Sequence, residues 1–196
     1  MIKQRWPVVV VIAAVILAAN AATAASLDRA VLDEINYARM HPGEYAMDLR
    51  EMRRGDEGYA ETDPNAIEEA IEFLQRQRPL PPLSPSRALA LAAAEQTAAQ
   101  GPRGLTGHTG AGGSSPSQRM QHQGVWCSMS AEAISYGYGA ADSVVRQLII
   151  DQGVANRGHR MTIFDPAFRI AGVGCGPHAR YRHMCVIDFA SAPVVR

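Results

Sequence analysis

The sequence predicts a single α+β domain. Three observations carry that. Helical apolar stripes crowd the first half of the chain. Strand-like runs appear only later, ending in a pair, "RIAGVGCG" and "HMCVIDFA", around a short turn. There is no alternation of strand and helix that would build a parallel sheet.

The elements follow in order. Leu27, Val31, Ile35 and Ala38 recur at helical spacing behind a Ser26 cap, and Pro42 disfavours continuation. A second short helix is predicted from Glu44 to Met52. The stretch from Arg53 to Thr62 reads as a polar loop. Asp63-Pro64 starts a third helix, with Ile67, Ala70, Ile71 and Leu74 on its apolar face. "RPLPPL" is an extended linker. Ser84-Pro85 repeats the cap-then-proline pattern and predicts the start of an alanine-rich helix that ends at Gly101. Residues 101–117 are a Gly/Ser/Thr loop, followed by a short helix behind Ser115. Val125 to Ile134 has strand character, 140–150 is helical, and "ANRGHRMTIFDP" is read as a loop. No internal repeat or second domain is visible.

Residues 1–25 are different in kind. Lys3 and Arg5 precede an apolar run from Pro7 to Ala19, and Ala22-Thr23-Ala24 is a small-x-small site. This predicts a cleavable export signal, the run being short against the about 20 residues of a membrane span. A single domain over 26–196 is expected, without a stable membrane anchor once the signal is cut, in a periplasmic or secreted protein. Without the signal's two bases, 17 Lys+Arg face 19 Asp+Glu. No basic block is long enough to suggest nucleic acid.

In an oxidising compartment the three cysteines matter. Cys175 and Cys185 flank the terminal turn and are the preferred disulfide pair, worth about 2–3 kcal/mol by loop entropy. Cys127 is then an odd thiol, and a pair involving it is the rival assignment.

Candidate chemistry rests on two glycine-flanked histidines, His108 in "TGHTG" and His159 in "RGHR", and on two acids at element ends, Glu132 and Asp151. Imidazoles and carboxylates suit a divalent cation such as zinc. There is no His-Glu-x-x-His helix and no nucleophile elbow. The blander alternative has Glu132 simply paired with Arg157 or Arg160.

Six segments in register resemble the CAP superfamily (cysteine-rich secretory proteins, antigen 5 and pathogenesis-related proteins), on its bacterial SCP-like branch. They are "LDEINYARMHPGEYA", "LPPLSPSRALALAAAEQTA", "GHTGAGGSSPSQRMQHQGV", "AEAI", "RGHRMTIFDPAFRIAGVG" and "CVIDFA". The resemblance implies a three-layer α-β-α sandwich with a small antiparallel sheet. It implies a central cleft lined by His108, Glu132, Asp151 and His159, able to hold a divalent cation. Sterol or lipid carriage, known in some members, is implied as a further ligand class; no protein partner is indicated. The segment at about 53–78 is a helical insertion relative to small members. Departures are Ala131 and Ala133 around Glu132, Asp151 for a glutamate, and Thr162 for asparagine. Two functions follow: a non-catalytic binding module, which is favoured, and a hydrolase. The hydrolase would use Glu132 as general base beside a zinc-bound water, or Ser114 or Ser115 with His108. Arg160 is expected to orient Glu132 or Asp151, and Trp126 and Tyr136 to Tyr138 could contribute ligand surface.

Overall fold

The computed structural model describes residues 26–54 and 62–192. The expected export signal, and most of the polar loop before Asp63, lie outside the described residues. The elements are helices α1 (26–40), α2 (Pro42–Arg54), α3 (Pro64–Arg76), α4 (Arg87–Gln100), α5 (Pro116–His122), α6 (Ala141–Ile150) and α7 (Gly158–Ile163). The strands are β1 (Ser84–Pro85), β2 (Ser130–Tyr136), β3 (Ile170–His178) and β4 (Arg182–Ala190).

The strands form one sheet in the order β1-β3-β4-β2, with β1 parallel to β3 and the other pairs antiparallel. Period-two alternation splits its side chains between two layers. Ala133, Cys185, Ile187, Phe189, Ala171 and Val173 face the main core, built with α1, α2, α3, α6 and α7. Ile134, Met184, Val186 and Ala190 face the other way, toward α4 and α5. This is the α-β-α sandwich expected.

On the α4 side the packing is unusually close. A Cβ at Gly172 would fall 2.1 Å from the Ala90 nitrogen, and one at Gly174 would fall 2.5 Å from that of Ala94. The "GVG" of β3 and the alanines of α4 therefore answer each other: neither surface has side-chain bulk to hold the backbones apart.

The "NYAR" of α1 anchors the proline-rich linker. Asn36 Nδ2 donates to the Leu83 carbonyl at 3.0 Å, and Asn36 Oδ1 accepts from the Leu83 N–H at 2.7 Å. Arg39 is fully buried and donates to the carbonyls of Pro81 (3.2 Å), Asp165 (3.2 Å) and Ile163. One helix turn thus ties the linker to the segment after α7.

Several sequence expectations shift. Ser84-Pro85 pairs with β3 instead of starting α4, whose cap is Ser86. Proline is tolerated on this short edge strand because its missing N–H removes no ladder bond there. The helix expected from Glu44 begins already at Pro42, since proline suits a first helical position. The strand expected from Val125 is confined to Ser130–Tyr136, because Val125 instead packs with Met120 beneath α4. His159 lies on the short helix α7, where a loop was expected. Cys175 and Cys185 form the disulfide across directly opposed positions of β3 and β4, leaving Cys127 free.

Candidate functional site

His108 stands on the glycine-rich loop between α4 and α5, and that loop is nailed in place. Gln96 and Gln100, on the last turns of α4, donate to the Gly107 carbonyl at 3.0 and 2.9 Å. Gln100 also reaches the Thr109 carbonyl at 3.0 Å. From β2, the Tyr136 hydroxyl accepts the Gly107 N–H at 3.0 Å. Both neighbours of His108 are therefore held, with Gly107 at φ +98°, a conformation that favours glycine.

The ring of His108 meets Glu132, with Nδ1 2.8 Å from Oε1. The other carboxylate oxygen, Oε2, accepts from Arg119 at 2.5 Å. Arg119, on α5, is fully buried and also donates to the carbonyls of His108 (3.2 Å) and Ser114 (3.0 Å). Gly110 makes room for it, since a Cβ there would lie 2.9 Å from the guanidinium. The pairing of Glu132 with Arg157 or Arg160 is not what forms. Sequence reasoning missed Arg119; the available signal was a cation on the inner face of α5, three residues past a proline start.

The second histidine is held by the same chemistry from the opposite layer. Asp151 caps α6 in the left-handed region, at φ +55°. Its Oδ1 lies 2.7 Å from His159 Nδ1, and Oδ2 accepts the His159 N–H at 2.8 Å. Asn156 and Arg157, also at positive φ, turn the chain so that α7 starts against that carboxylate. Such backbone conformations persist where surrounding contacts impose them. The Arg160 guanidinium orients neither Glu132 nor Asp151. It donates to the Ile149 carbonyl at 2.5 Å and the Ile150 carbonyl at 3.0 Å, closing the end of α6. Glu69 of α3 braces the segment through Arg157 and Arg160. Hydrogen bonding from Arg157 holds the Glu69 carboxyl below its usual range. Helix α3 thus supports the second histidine.

The four expected residues are therefore gathered two by two: His108 with Glu132, and His159 with Asp151. The carboxylates are buried, their side chains 1% and 2% exposed, while His108 is 52% and His159 21% exposed. Among the described residues, no group of three or more His, Cys, Asp and Glu side chains converges as a ready metal cage. Both pairs flank β2, the outer strand: Glu132 belongs to it, and α6 and α7 pack against it. Beside the first pair is a cleft of about 340 Å³ lined by His108, Pro116, Ser117, Ser130, Ala131 and Glu132.

Directly behind Glu132, across the β2–β4 ladder, is Asp188. It is fully buried, and neither carboxyl oxygen has a hydrogen-bond partner within the distance limits of a normal bond. Burial first, then the neighbouring Glu132 charge, push its carboxyl well above the usual carboxylate range.

The serine alternative fares poorly on contacts. The Ser115 hydroxyl caps α5, accepting from the Gln118 N–H in a reciprocal capping box. Among the described contacts neither the Ser114 nor the Ser115 hydroxyl reaches the His108 ring.

The fold and the paired histidine–carboxylate site define an α-β-α sandwich of the cysteine-rich secretory class. The chain belongs to the CAP family, described as the cysteine-rich secretory protein family, whose model matches residues 32–189. No curated protein matches. Among solved structures, the chain is similar to an extracellular protein containing an SCP domain from Bacillus anthracis, at 17% identity and a TM-score of 0.48, over 64% of this chain and 37% of that one. It is also similar to an outer surface protein of Borrelia burgdorferi, at 17% identity and a TM-score of 0.48, over 65% of this chain and 86% of that one. A cysteine-rich secretory protein from Staphylococcus aureus matches at 12% identity and a TM-score of 0.40, over 67% of this chain and 40% of that one. The chain thus spans little more than a third of the Bacillus protein.

Proposed function

We propose that this is a secreted or periplasmic, non-catalytic CAP-domain binding module that takes a divalent cation such as zinc at His108 and His159. The observation that carries the reading is the way both rings are held. Each Nδ1 faces a buried carboxylate, Glu132 or Asp151. A neutral ring that donates its Nδ1–H as a hydrogen bond to a carboxylate presents the Nε2 lone pair outward. This carboxylate–histidine arrangement is how proteins fix the tautomer and raise the basicity of metal-binding imidazoles.

In this reading the acids act mainly by orienting the rings. Two imidazoles leave coordination positions for water or for donors of a second ligand, as an open site requires. A lipid or sterol is a less supported ligand, because the cleft beside His108 is small and lined largely by polar residues. Among the described residues no helix is long and apolar enough to cross a membrane.

Calorimetry with zinc tests the reading, on the purified chain beside the His108→Ala/His159→Ala double variant. Micromolar binding that vanishes in the variant is expected. Equal zinc binding by both proteins, or none by either, overturns it.

A further inference from the structure

The outer edge of β2 is the feature that the histidines alone do not explain. The ladder fixes which of its backbone groups point outward. At one end the Met129 carbonyl accepts from the Ser191 N–H, and at the other the Gly137 N–H donates to the His183 carbonyl. In an antiparallel pair, hydrogen-bonded and non-hydrogen-bonded positions alternate. Odd-numbered residues therefore bond inward to β4. The N–H and C=O groups of Ser130 and Glu132 point away from the sheet, and none has a described partner.

This part of the edge is open. Ala133, Ile134 and Ser135 are buried further along, whereas Ser130, Ala131 and Glu132 are half-buried and line the cleft beside His108. The Glu132 side chain is only 1% exposed, so what Glu132 shows to solvent is its main chain. The chemistry on offer is an N–H and a C=O repeating every second residue along an extended line. The ligand that matches that pattern is another extended peptide chain.

We propose that the site binds an extended peptide segment, which adds as a strand along Ser130–Glu132 in the cleft beside His108. This deepens the binding-module reading and rests on it for the site's role. The backbone pairing is independent of any metal. Register comes from alternate peptide residues, whose side chains enter the cleft between β2 and the His108–Ser117 wall. His108 Nε2 then stands beside the docked chain, and a metal held there would meet peptide carbonyls or side chains as further donors.

The test uses randomised N-acetyl hexapeptide amides against the purified wild-type chain, with NMR amide shifts as readout. The best binder is remade with N-methyl groups on alternate residues, in each of the two registers. Strand addition predicts shifts centred on Ser130 and Glu132. It also predicts that one N-methyl register weakens binding at least about tenfold while the other changes it little. Ser130→Pro should weaken the parent peptide similarly, because it removes an outward N–H without breaking a bond to β4. Both N-methyl registers binding like the parent, or no peptide binding at about 1 mM, overturns the proposal. Zinc calorimetry on the same preparations separates the two readings. Peptide binding without zinc binding sinks the metal reading alone, and zinc binding without peptide binding sinks the strand-addition proposal alone.

Discussion

Glu132 and Asp188 stand directly opposite each other on β2 and β4, both with buried carboxyl side chains. Only one of the two touches a cation, and the Arg119 charge lowers Asp188 less than burial and Glu132 raise it. Arg119 and His108 take the oxygens of Glu132, and Asp188 is left facing that anion. Burial of an unpaired carboxylate is costly, so the folded protein favours Asp188 in its neutral form.

Asp188→Asn should therefore be tolerated. The sign follows from linkage. A carboxyl raised in the folded state contributes stability that is fully present below its unfolded value, about 4, and is lost as pH rises through the folded value. The asparagine variant cannot lose it. Thermal unfolding at pH 5 and pH 8 should show the variant gaining on wild type as pH rises. A variant that loses ground at pH 8 would show that the charged form is favoured after all.

Arg119→Ala should be severe. It leaves the Glu132 carboxylate buried without its cation and frees two carbonyls that hold the His108 loop. Breaking a buried pair in this way costs about 3–5 kcal/mol. Adding Glu132→Gln should recover part of that loss, which a double-mutant cycle by urea unfolding would read directly. Strict additivity of the two changes would mean that the pair is not coupled.

Asp28 makes the N-terminal turn of α1 pH-sensitive. Its Oδ1 accepts the Cys175 N–H at 2.7 Å, on the side of β3 that β1 is too short to cover. Burial pushes its carboxyl up to about 6, the hydrogen bond offsetting only part of the effect. Its favourable contribution is complete below about 4 and lost as pH climbs through about 6. Asp28→Asn, which keeps the acceptor, should match wild type near pH 4 and be more stable at pH 8. The gain is on the order of 1 kcal/mol once solvent screening of a half-exposed group is allowed for. Chemical unfolding at the two pH values checks this, and an unchanged difference between them would count against it.

Much of this was legible in the sequence because it is local. Capping residues and prolines marked α3 and α5, apolar spacing marked α1 and α6, and two strand-like runs around a short turn marked the hairpin and its disulfide. His108, Glu132, Asp151 and His159 were identifiable as candidates from residue type, flanking glycines and family resemblance. Their pairing was not. Which acid meets which ring depends on the layers α4–α5 and α6–α7 lying on opposite faces of one sheet, a long-range fact with no periodic signature. The same holds for Arg119, Glu69 and Asp188, ordinary charged residues in sequence that become buried or bracing only when distant elements pack. Ser84-Pro85 shows the converse: a good local helix start was overridden because the chain there runs beside β3. Local free energies wrote the elements into the sequence; burial, which depends on the whole packed chain, decided which charges had to find each other.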